Sequence, residues 1–350
     1  MGVMVMRKGM MFLAIVVFTC SLFATYVSGE WTEVNQYKKN PPYTIGFSNS
    51  FMGISWRTQF MAEFEEMIKA LDPVIEEVYV TNADNQIAKQ IADIEDLLAK
   101  GVDGLIVDPV SPTALVPVIE EAYRMGIPVV IINDKINTDK IAAYRSTDDF
   151  EFGKAGGEWL AKQLGGKGKV IALRGIAGHG VDEDRWAGAK SAFDKYPDIK
   201  VVAQEFAGWS YDKGKMAMQN ILAAHPDISG VWSSGGAMSR AAVDVLLESG
   251  HHLIPVTGED ENGFLKKWFE LKAKGFSSIA PSKPTWITRV GVNTLISLLM
   301  GVPVPKVIVY PTPLITDENL DSYVKPDLPD TYWANSLLSE EQIKKLLAGQ

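Results

Sequence analysis

The sequence has almost no cysteine. Of its 350 residues only Cys20 is one, and it lies in the first apolar segment. The rest of the chain therefore cannot form a disulfide bond within itself and cannot use a thiolate as a nucleophile. Histidine is also scarce, with four residues, two of which are the neighbours His251 and His252. These shortages leave little material for thiol-based or histidine-based catalysis.

Motifs of several enzyme classes are absent as well. The stretch GIAGHG at 175–180 does not have the G-x-G-x-x-G spacing, and GGKGKV at 165–170 is not a phosphate-binding P-loop. Neither G-x-S-x-G nor H-E-x-x-H occurs. We therefore predict no catalytic residue, no cofactor and no metal site. Turnover of a substrate by the pure protein would favour the enzyme alternative.

The beginning of the chain differs from the rest. Arg7 and Lys8 precede an apolar run, Met10–Cys20, and small residues lie just before Glu30. A basic start, a short apolar core and a small-residue cut site are typical of a secretory signal peptide, which we predict over 1–29. The alternatives are an uncleaved membrane anchor and a lipidated Cys20. The prediction implies a periplasmic or otherwise extracytoplasmic protein.

The chain is acidic. Its formal net charge is −9, and loss of Arg7 and Lys8 with the signal peptide makes it −11. Such a charge disfavours nucleic acid and anionic lipid as partners. The hydrophobic content of 47% and the charged content of 22% are those of a soluble globular protein. We expect a monomer.

Strand and helix patterns alternate along most of the sequence. Strands are predicted at 43–48, 74–81, 104–107, 128–132, 141–146, 169–173, 200–205, 230–232, 253–256 and 277–280. Helices are predicted at 55–71, 85–100, 114–125, 150–164, 212–224, 239–248 and 339–347. This alternation predicts parallel sheets flanked by helices. Because some ten units are too many for one small core, we predict an α/β fold with two Rossmann-like lobes and a boundary near 146–149.

Polar, aromatic and glycine residues follow the predicted strands. In open parallel sheets, ligands bind beyond the carboxyl ends of the strands, so these positions predict a binding site. Carboxylate, amide and guanidinium groups suit the hydroxyls of a carbohydrate, and aromatic rings suit its apolar face. The candidate positions are 48–56, 108, 133–134, 178–179, 209, 233–236 and 259–260.

Five stretches carry a specific resemblance. They are NQIAKQIADIEDLLAKGVDGLIVDP at 85–109, IPVVIIND at 127–134, GIAGHGVDEDR at 175–185, MQNILAAHP at 218–226 and VTGED at 256–260. In this order they resemble the periplasmic sugar-binding proteins of the ribose/galactose type, and the likeness covers nearly all of 43–310.

The resemblance implies the type I periplasmic binding protein fold, in which two lobes joined by a three-stranded hinge close on a ligand. The lobes are then 30–147 plus 282–308, and 148–281 plus 309–350. The implied function is that of a solute-binding protein that captures a sugar or polyol in an interlobe cleft and delivers it to an ABC transporter permease. A chemoreceptor or sensor is a further possible partner.

The resemblance also implies ligand-binding residues, which we expect to grip the ligand from both lobes. In the first lobe they are Trp56, Arg57, Asp108, Asn133 and Asp134. Four of these five candidates also have a structural alternative, since Trp56 could be a core residue, Asp108 a helix cap and the Asn133-Asp134 pair a turn.

In the second lobe the implied ligand-binding residues are His179, Arg185, Trp209 and Asp260, with Ser282 at the hinge. A structural role is also open for His179, and a core role for Trp209. Arg185 is expected to donate to two hydroxyls through its forked guanidinium.

Two departures from the family pattern concern ligand identity. Gly235-Gly236 stands where the family usually has Asn-Asp, and Pro281-Ser282 stands where it has Asn or Gln. Both remove polar groups, so we expect neither ribose nor galactose in the usual pose. Ser233, Ser234 and Ser282 are candidates to replace the lost groups. The calcium loop of the galactose type is not evident.

Two rival functions share this architecture. A transcription regulator would carry a basic helix-turn-helix ahead of the first strand, where this chain has its leader and a short linker. A receptor for a furanone-type signalling molecule or another polyol is not separated by sequence from a sugar receptor.

Overall fold

The computed structural model describes residues 26–348. Its strands are β1 (Tyr26–Val27), β2 (Tyr43–Asn49), β3 (Ile75–Asn82), β4 (Gly104–Val107), β5 (Val129–Ile132), β6 (Ala143–Thr147), β7 (Lys167–Arg174), β8 (Asp198–Phe206), β9 (Gly230–Ser233), β10 (Ala280–Pro281), β11 (Val307–Tyr310) and β12 (Leu314–Ile315). Its helices are α1 (Ser55–Ala70), α2 (Ile87–Ala99), α3 (Val116–Arg124), α4 (Asp149–Gln163), α5 (Gly180–Phe193), α6 (Tyr211–Ala224), α7 (Gly236–Glu248), α8 (Asn262–Lys272), α9 (Ile287–Leu299), α10 (Leu320–Tyr323) and α11 (Glu340–Leu347).

The described chain divides into two compact units. Unit 1 comprises 26–52, 60–147 and 286–311, and unit 2 comprises 53–59, 148–285 and 312–348. The passage after 147 lies where the sequence predicts the lobe boundary. Residues 53–59, which the sequence places in the first lobe, group with unit 2.

Unit 1 is built on a seven-stranded sheet with the order β1-β11-β6-β5-β4-β2-β3. All pairs are parallel except β1 with β11. The central strands β4 and β5 are buried along their whole length, as continuous apolar runs in a parallel sheet require. Helix α2 covers the sheet with its apolar face, including Ile94 and Leu97.

Unit 2 contains a parallel sheet with the order β8-β7-β9. Its core includes Phe264 and Trp268 of α8 and Met238 of α7, all fully buried. The expected strand at 253–256 is wrong, because only Val256 joins the sheet, through a single bridge to Val231. Pro255 accepts from Val231 but has no N–H to extend the ladder.

The expected strand at 277–280 is also displaced. The short β10 begins at Ala280 and pairs antiparallel with β12, outside the parallel sheet. The tail ends in α11, whose first turn is closed by a capping box between Ser339 and Gln342. Helix α11 lies within the helix predicted at 339–347.

Most of the predicted signal peptide, 1–25, lies outside the described residues. Tyr26 and Val27, which the predicted cleavage would remove, pair with Val309 and Ile308 of β11. Among the helices between residues 26 and 348, none is long and apolar enough to cross a membrane.

Candidate functional site

A polar cluster around one carboxylate lies at the carboxyl ends of neighbouring strands in unit 1. Asp108, directly after β4, accepts from Ser50 Oγ at 2.7 Å and from Asn133 Nδ2 at 2.9 Å. These contacts form because β2, β4 and β5 are adjacent and parallel, so their ends meet at one edge. Gln90 of α2 donates to the carbonyl of Asp108 at 2.8 Å. We call Ser50, Asp108 and Asn133 the unit 1 cluster.

The residues after β5 form a tight turn. Asn133 has a left-handed backbone with φ of 67°, which Asn tolerates better than most residues. Its carbonyl accepts from Ser146 Oγ at 2.6 Å. Asp134 is buried, and its Oδ1 accepts from the backbone N–H of Lys135. Asp134 thus lies in a turn, as one alternative from the sequence has it, and the Asn133 side chain lies beside Asp108.

Trp56 and Arg57 belong to unit 2 because the first turn of α1 is anchored there. Trp56 Nε1 donates to the carbonyl of Lys283 at 2.9 Å, and the Arg57 guanidinium lies 5.2 Å from the centre of the Trp56 ring. Gln59 donates to Trp333 at 2.9 Å. Contacts to segments more than 200 residues away explain why the local sequence pattern did not assign this turn to unit 2.

A buried charge network surrounds Arg185 in unit 2. Arg185 Nε donates to Asp149 at 3.0 Å, Nη2 to Glu259 at 2.9 Å and Nη1 to the carbonyl of Ser234 at 2.6 Å. Lys283 Nζ donates to the second oxygen of Asp149. All four charged side chains are buried. We call Arg185, Asp149, Glu259 and Lys283 the charge network.

The pKa values of two neighbouring carboxyls, Glu259 and Asp260, are raised. Burial raises the pKa of Glu259 to about 7, although Arg185 opposes the shift. Burial also raises the pKa of Asp260 to about 6, against hydrogen bonds from Asn335 and Ser282. Ionised carboxylates are costly to bury without partners, so this region is tuned by its surroundings.

The indole ring of Trp209 packs against Gly175 and Gly235. Its backbone φ of 56° is left-handed, which is rare for a bulky residue. A Cβ at Gly175 would come within 2.1 Å of the indole, and one at Gly235 within 2.6 Å. Gly235 therefore admits the ring. His179 meets it edge-on with the ring centres 5.4 Å apart.

Asp260 Oδ1 and Ser234 Oγ of unit 2 are buried polar atoms that form no hydrogen bond within residues 26–348. The other oxygen of Asp260 accepts from the backbone N–H of Asn335 at 2.8 Å and from its side chain at 3.2 Å. Ser282 Oγ accepts from Asn335 Nδ2 at 2.6 Å. One oxygen of Asp260 is thus held by Asn335, and the other has no partner among the described residues.

A known protein family matches this chain over most of its length. The model of the family described as periplasmic binding protein domain matches residues 45–302. The chain belongs to this periplasmic binding protein family. The ribose import binding protein of Bacillus subtilis is 26% identical over 87% of this chain and 98% of its own length. The xylitol-binding protein of Mycolicibacterium smegmatis is 30% identical over 70% of each chain.

A solved structure supports the same family assignment. The fructose binding periplasmic domain of a hybrid two-component system is 26% identical, with a TM-score of 0.71 over 80% of this chain and 92% of that one. The type I periplasmic binding protein fold expected from the sequence is therefore confirmed. Members of this family are solute-binding proteins.

The structure also brings forward residues that sequence reasoning did not select. Asp149 contacts Arg185, and Asn335 contacts both Asp260 and Ser282. Lys283 contacts Trp56 through its carbonyl and Asp149 through Nζ. All of these partners lie far apart along the chain. Only Lys283 had a local signal, as the neighbour of Ser282. Across residues 26–348 no group of three or more His, Cys, Asp or Glu side chains is arranged to hold a metal ion.

Proposed function

We propose that this chain is an extracytoplasmic solute-binding protein that captures a sugar or a related polyol and delivers it to an ABC transporter permease. Membership of the periplasmic binding protein family supports the class of function. The names of the ribose and xylitol relatives support a polyhydroxylated ligand.

One observation carries the ligand chemistry. Asp260 Oδ1 and Ser234 Oγ are buried polar atoms with no hydrogen-bond partner between residues 26 and 348. A buried polar atom without a partner costs roughly 1–3 kcal/mol, so native proteins rarely keep one without a use. A ligand hydroxyl can donate to the carboxylate and can either donate to or accept from the serine.

We propose that Trp209 supplies the apolar contact. Its ring rests against Gly175 and Gly235 and is only half-buried. Aromatic rings suit the C–H face of a sugar. In unit 1, Asn133 and Asp108 supply further polar groups, and Trp56, Arg57 and His179 complete the proposed set.

The ion pairs of Arg185 change one detail of the expected site. Three of its donors are directed to Asp149, Glu259 and Ser234. We therefore propose that Arg185 shapes the site by fixing these groups, in addition to any contact with a hydroxyl.

Calorimetric titration with D-ribose, xylitol, L-arabinose, D-galactose and myo-inositol tests the proposal. At least one should bind and raise the melting temperature, and Asp260→Asn should weaken that binding about tenfold or more, since hydrogen bonds to charged groups contribute about 1.5–3 kcal/mol. Asp227→Asn is the control, because Asp227 forms an exposed ion pair with Lys169. If no sugar or polyol changes either signal, the sugar assignment is wrong.

A sensor is the second candidate function. The similar fructose-binding domain belongs to a hybrid two-component system. A receptor that signals and one that feeds a permease can share the same ligand, so co-purification of a permease or of a sensor with the sugar-loaded protein would separate them.

A further inference from the structure

The C-terminal segment contacts two of the predicted ligand-binding residues, Asp260 and Ser282. Trp333 accepts from and donates to the side chain of Gln59, at 2.9 and 3.1 Å. Ala334 donates its N–H to the carbonyl of Asp260 at 3.0 Å. Trp333 also bridges to Glu261 in antiparallel fashion. The backbone of 333–335 is thus fixed on both sides, although it lies beyond the 45–302 stretch that matches the family model.

Asn335 is the residue of this segment that reaches the candidate site. Its backbone N–H and its side-chain amide both donate to Asp260 Oδ2, at 2.8 and 3.2 Å. The same amide donates to Ser282 Oγ at 2.6 Å, and the carbonyl accepts from the N–H of Thr285 at 3.1 Å. One side chain therefore joins two predicted ligand-binding residues.

The consequence lies in the orientation of the Asp260 carboxylate. A carboxylate has two oxygens that can each accept hydrogen bonds. Asn335 occupies Oδ2, while Oδ1 is buried and accepts none from any residue within 26–348. With one oxygen held, the carboxylate cannot rotate freely, and its second oxygen has no donor among the described residues.

We propose that Asn335 is a positioning residue that fixes Asp260 and Ser282 for the ligand, so that the C-terminal segment selects ligands with a hydroxyl donor at that point. This inference rests on the proposed function. A group held in place before binding loses less conformational freedom when the ligand arrives. The segment thereby adds a determinant of specificity beyond the matched family region.

The first experiment measures affinity for the sugar or polyol of the panel that binds the wild-type protein most tightly. Asn335→Ala retains the backbone N–H bond but removes the side-chain amide, and we expect about a tenfold weaker affinity. Asn319→Ala is the matched control, because this amide of the same tail bonds only to Thr316 and Leu314 in its own turn. The control should bind like the wild type.

A double-mutant cycle separates positioning from a general loss of structure. If Asn335 acts through Asp260, the affinity loss caused by Asn335→Ala should largely disappear in the Asp260→Asn background. An equal loss in both backgrounds, or wild-type affinity in Asn335→Ala, would overturn the inference.

A second variant gives a readout without ligand. Asn335→Asp keeps the shape but adds a carboxylate beside Asp260, so the pKa of Asp260 should rise in an NMR titration of the ligand-free protein. An unchanged Asp260 pKa would contradict the contact. Absence of binding by the wild-type protein across the panel would reject the proposed function itself, and with it this inference, whereas wild-type binding with an unaffected Asn335→Ala rejects the inference alone.

Discussion

The two units hold their candidate polar residues by different means. In the unit 1 cluster, the carboxylate of Asp108 receives neutral donors from Ser50 and Asn133, one on each oxygen. In unit 2, Arg185 and Lys283 neutralise Asp149 and Glu259, and all four charges are buried. One region is organised by hydrogen bonds from neutral donors to a single carboxylate, and the other by ion pairs away from water.

The difference teaches where the molecule is most sensitive to change. Removing one partner of a buried ion pair leaves a charge without compensation, while removing a carboxylate that is held by neutral donors leaves only uncharged polar atoms without a partner. The same substitution type should therefore cost more in unit 2 than in unit 1, and pH should act mainly on unit 2.

The largest expected effect follows from Arg185→Leu. It leaves Glu259 without its ion-pair partner and should lower the free energy of unfolding by about 3–5 kcal/mol, as measured by urea denaturation. Lys190→Ala is the control on the same helix, because its pair with Asp194 is exposed and should contribute no more than about 1 kcal/mol. Similar losses in both variants would mean that the buried ion pairs of the charge network are no more sensitive to substitution than an exposed pair.

The next effect is a pH dependence. Burial raises the pKa of Asp260 from 3.8 to about 6. Between these pH values the folded state binds more protons than the unfolded state. The pKa shift corresponds to roughly 3 kcal/mol in the free energy of unfolding. Stability from this group is therefore fully present at low pH and lost as pH rises through about 6.

Asp260→Asn tests this effect because its amide does not titrate. Urea denaturation at a series of pH values from about 4 to 7.5 should show the variant gaining on the wild type as pH rises, by up to roughly 3 kcal/mol. Parallel curves for the two proteins would contradict the raised pKa of Asp260.

The smallest of the three effects is expected in unit 1. Asp108→Ala leaves Ser50 and Asn133 without their acceptor and should lower the free energy of unfolding by about 1–3 kcal/mol. Asp96→Ala, at an exposed pair with Lys100, is the control and should change it by about 0.5 kcal/mol or less. A loss as large as that of Arg185→Leu would remove the contrast between the units.

Much of the fold was predictable because its determinants are local. The strand at 104–107 matches β4 residue for residue, since four consecutive apolar or glycine positions precede the polar Asp108. The helix predicted at 339–347 corresponds to α11, whose N-cap is Ser339. At 253–256 the apolar pattern misled, since Pro255 prevents a full strand.

The site was less predictable because its contacts are long-range. The residues at strand ends could be chosen from sequence, but their partners could not, because Arg185 meets Glu259 across 74 positions and Ser282 meets Asn335 across 53. Nor does any local pattern show that Gly235 makes room for Trp209. The roles of the ten predicted ligand-binding residues stay predictions until a ligand is bound.

Gly175 and Gly235, which pack against Trp209, also limit how this receptor can be redesigned. Any side chain added at Gly175 or Gly235 would displace the indole, since even a single methyl would overlap it. Laboratory evolution toward a new guest should therefore leave these two glycines unchanged and accumulate substitutions around Asp108, where hydrogen bonds from neutral donors can be exchanged at smaller cost.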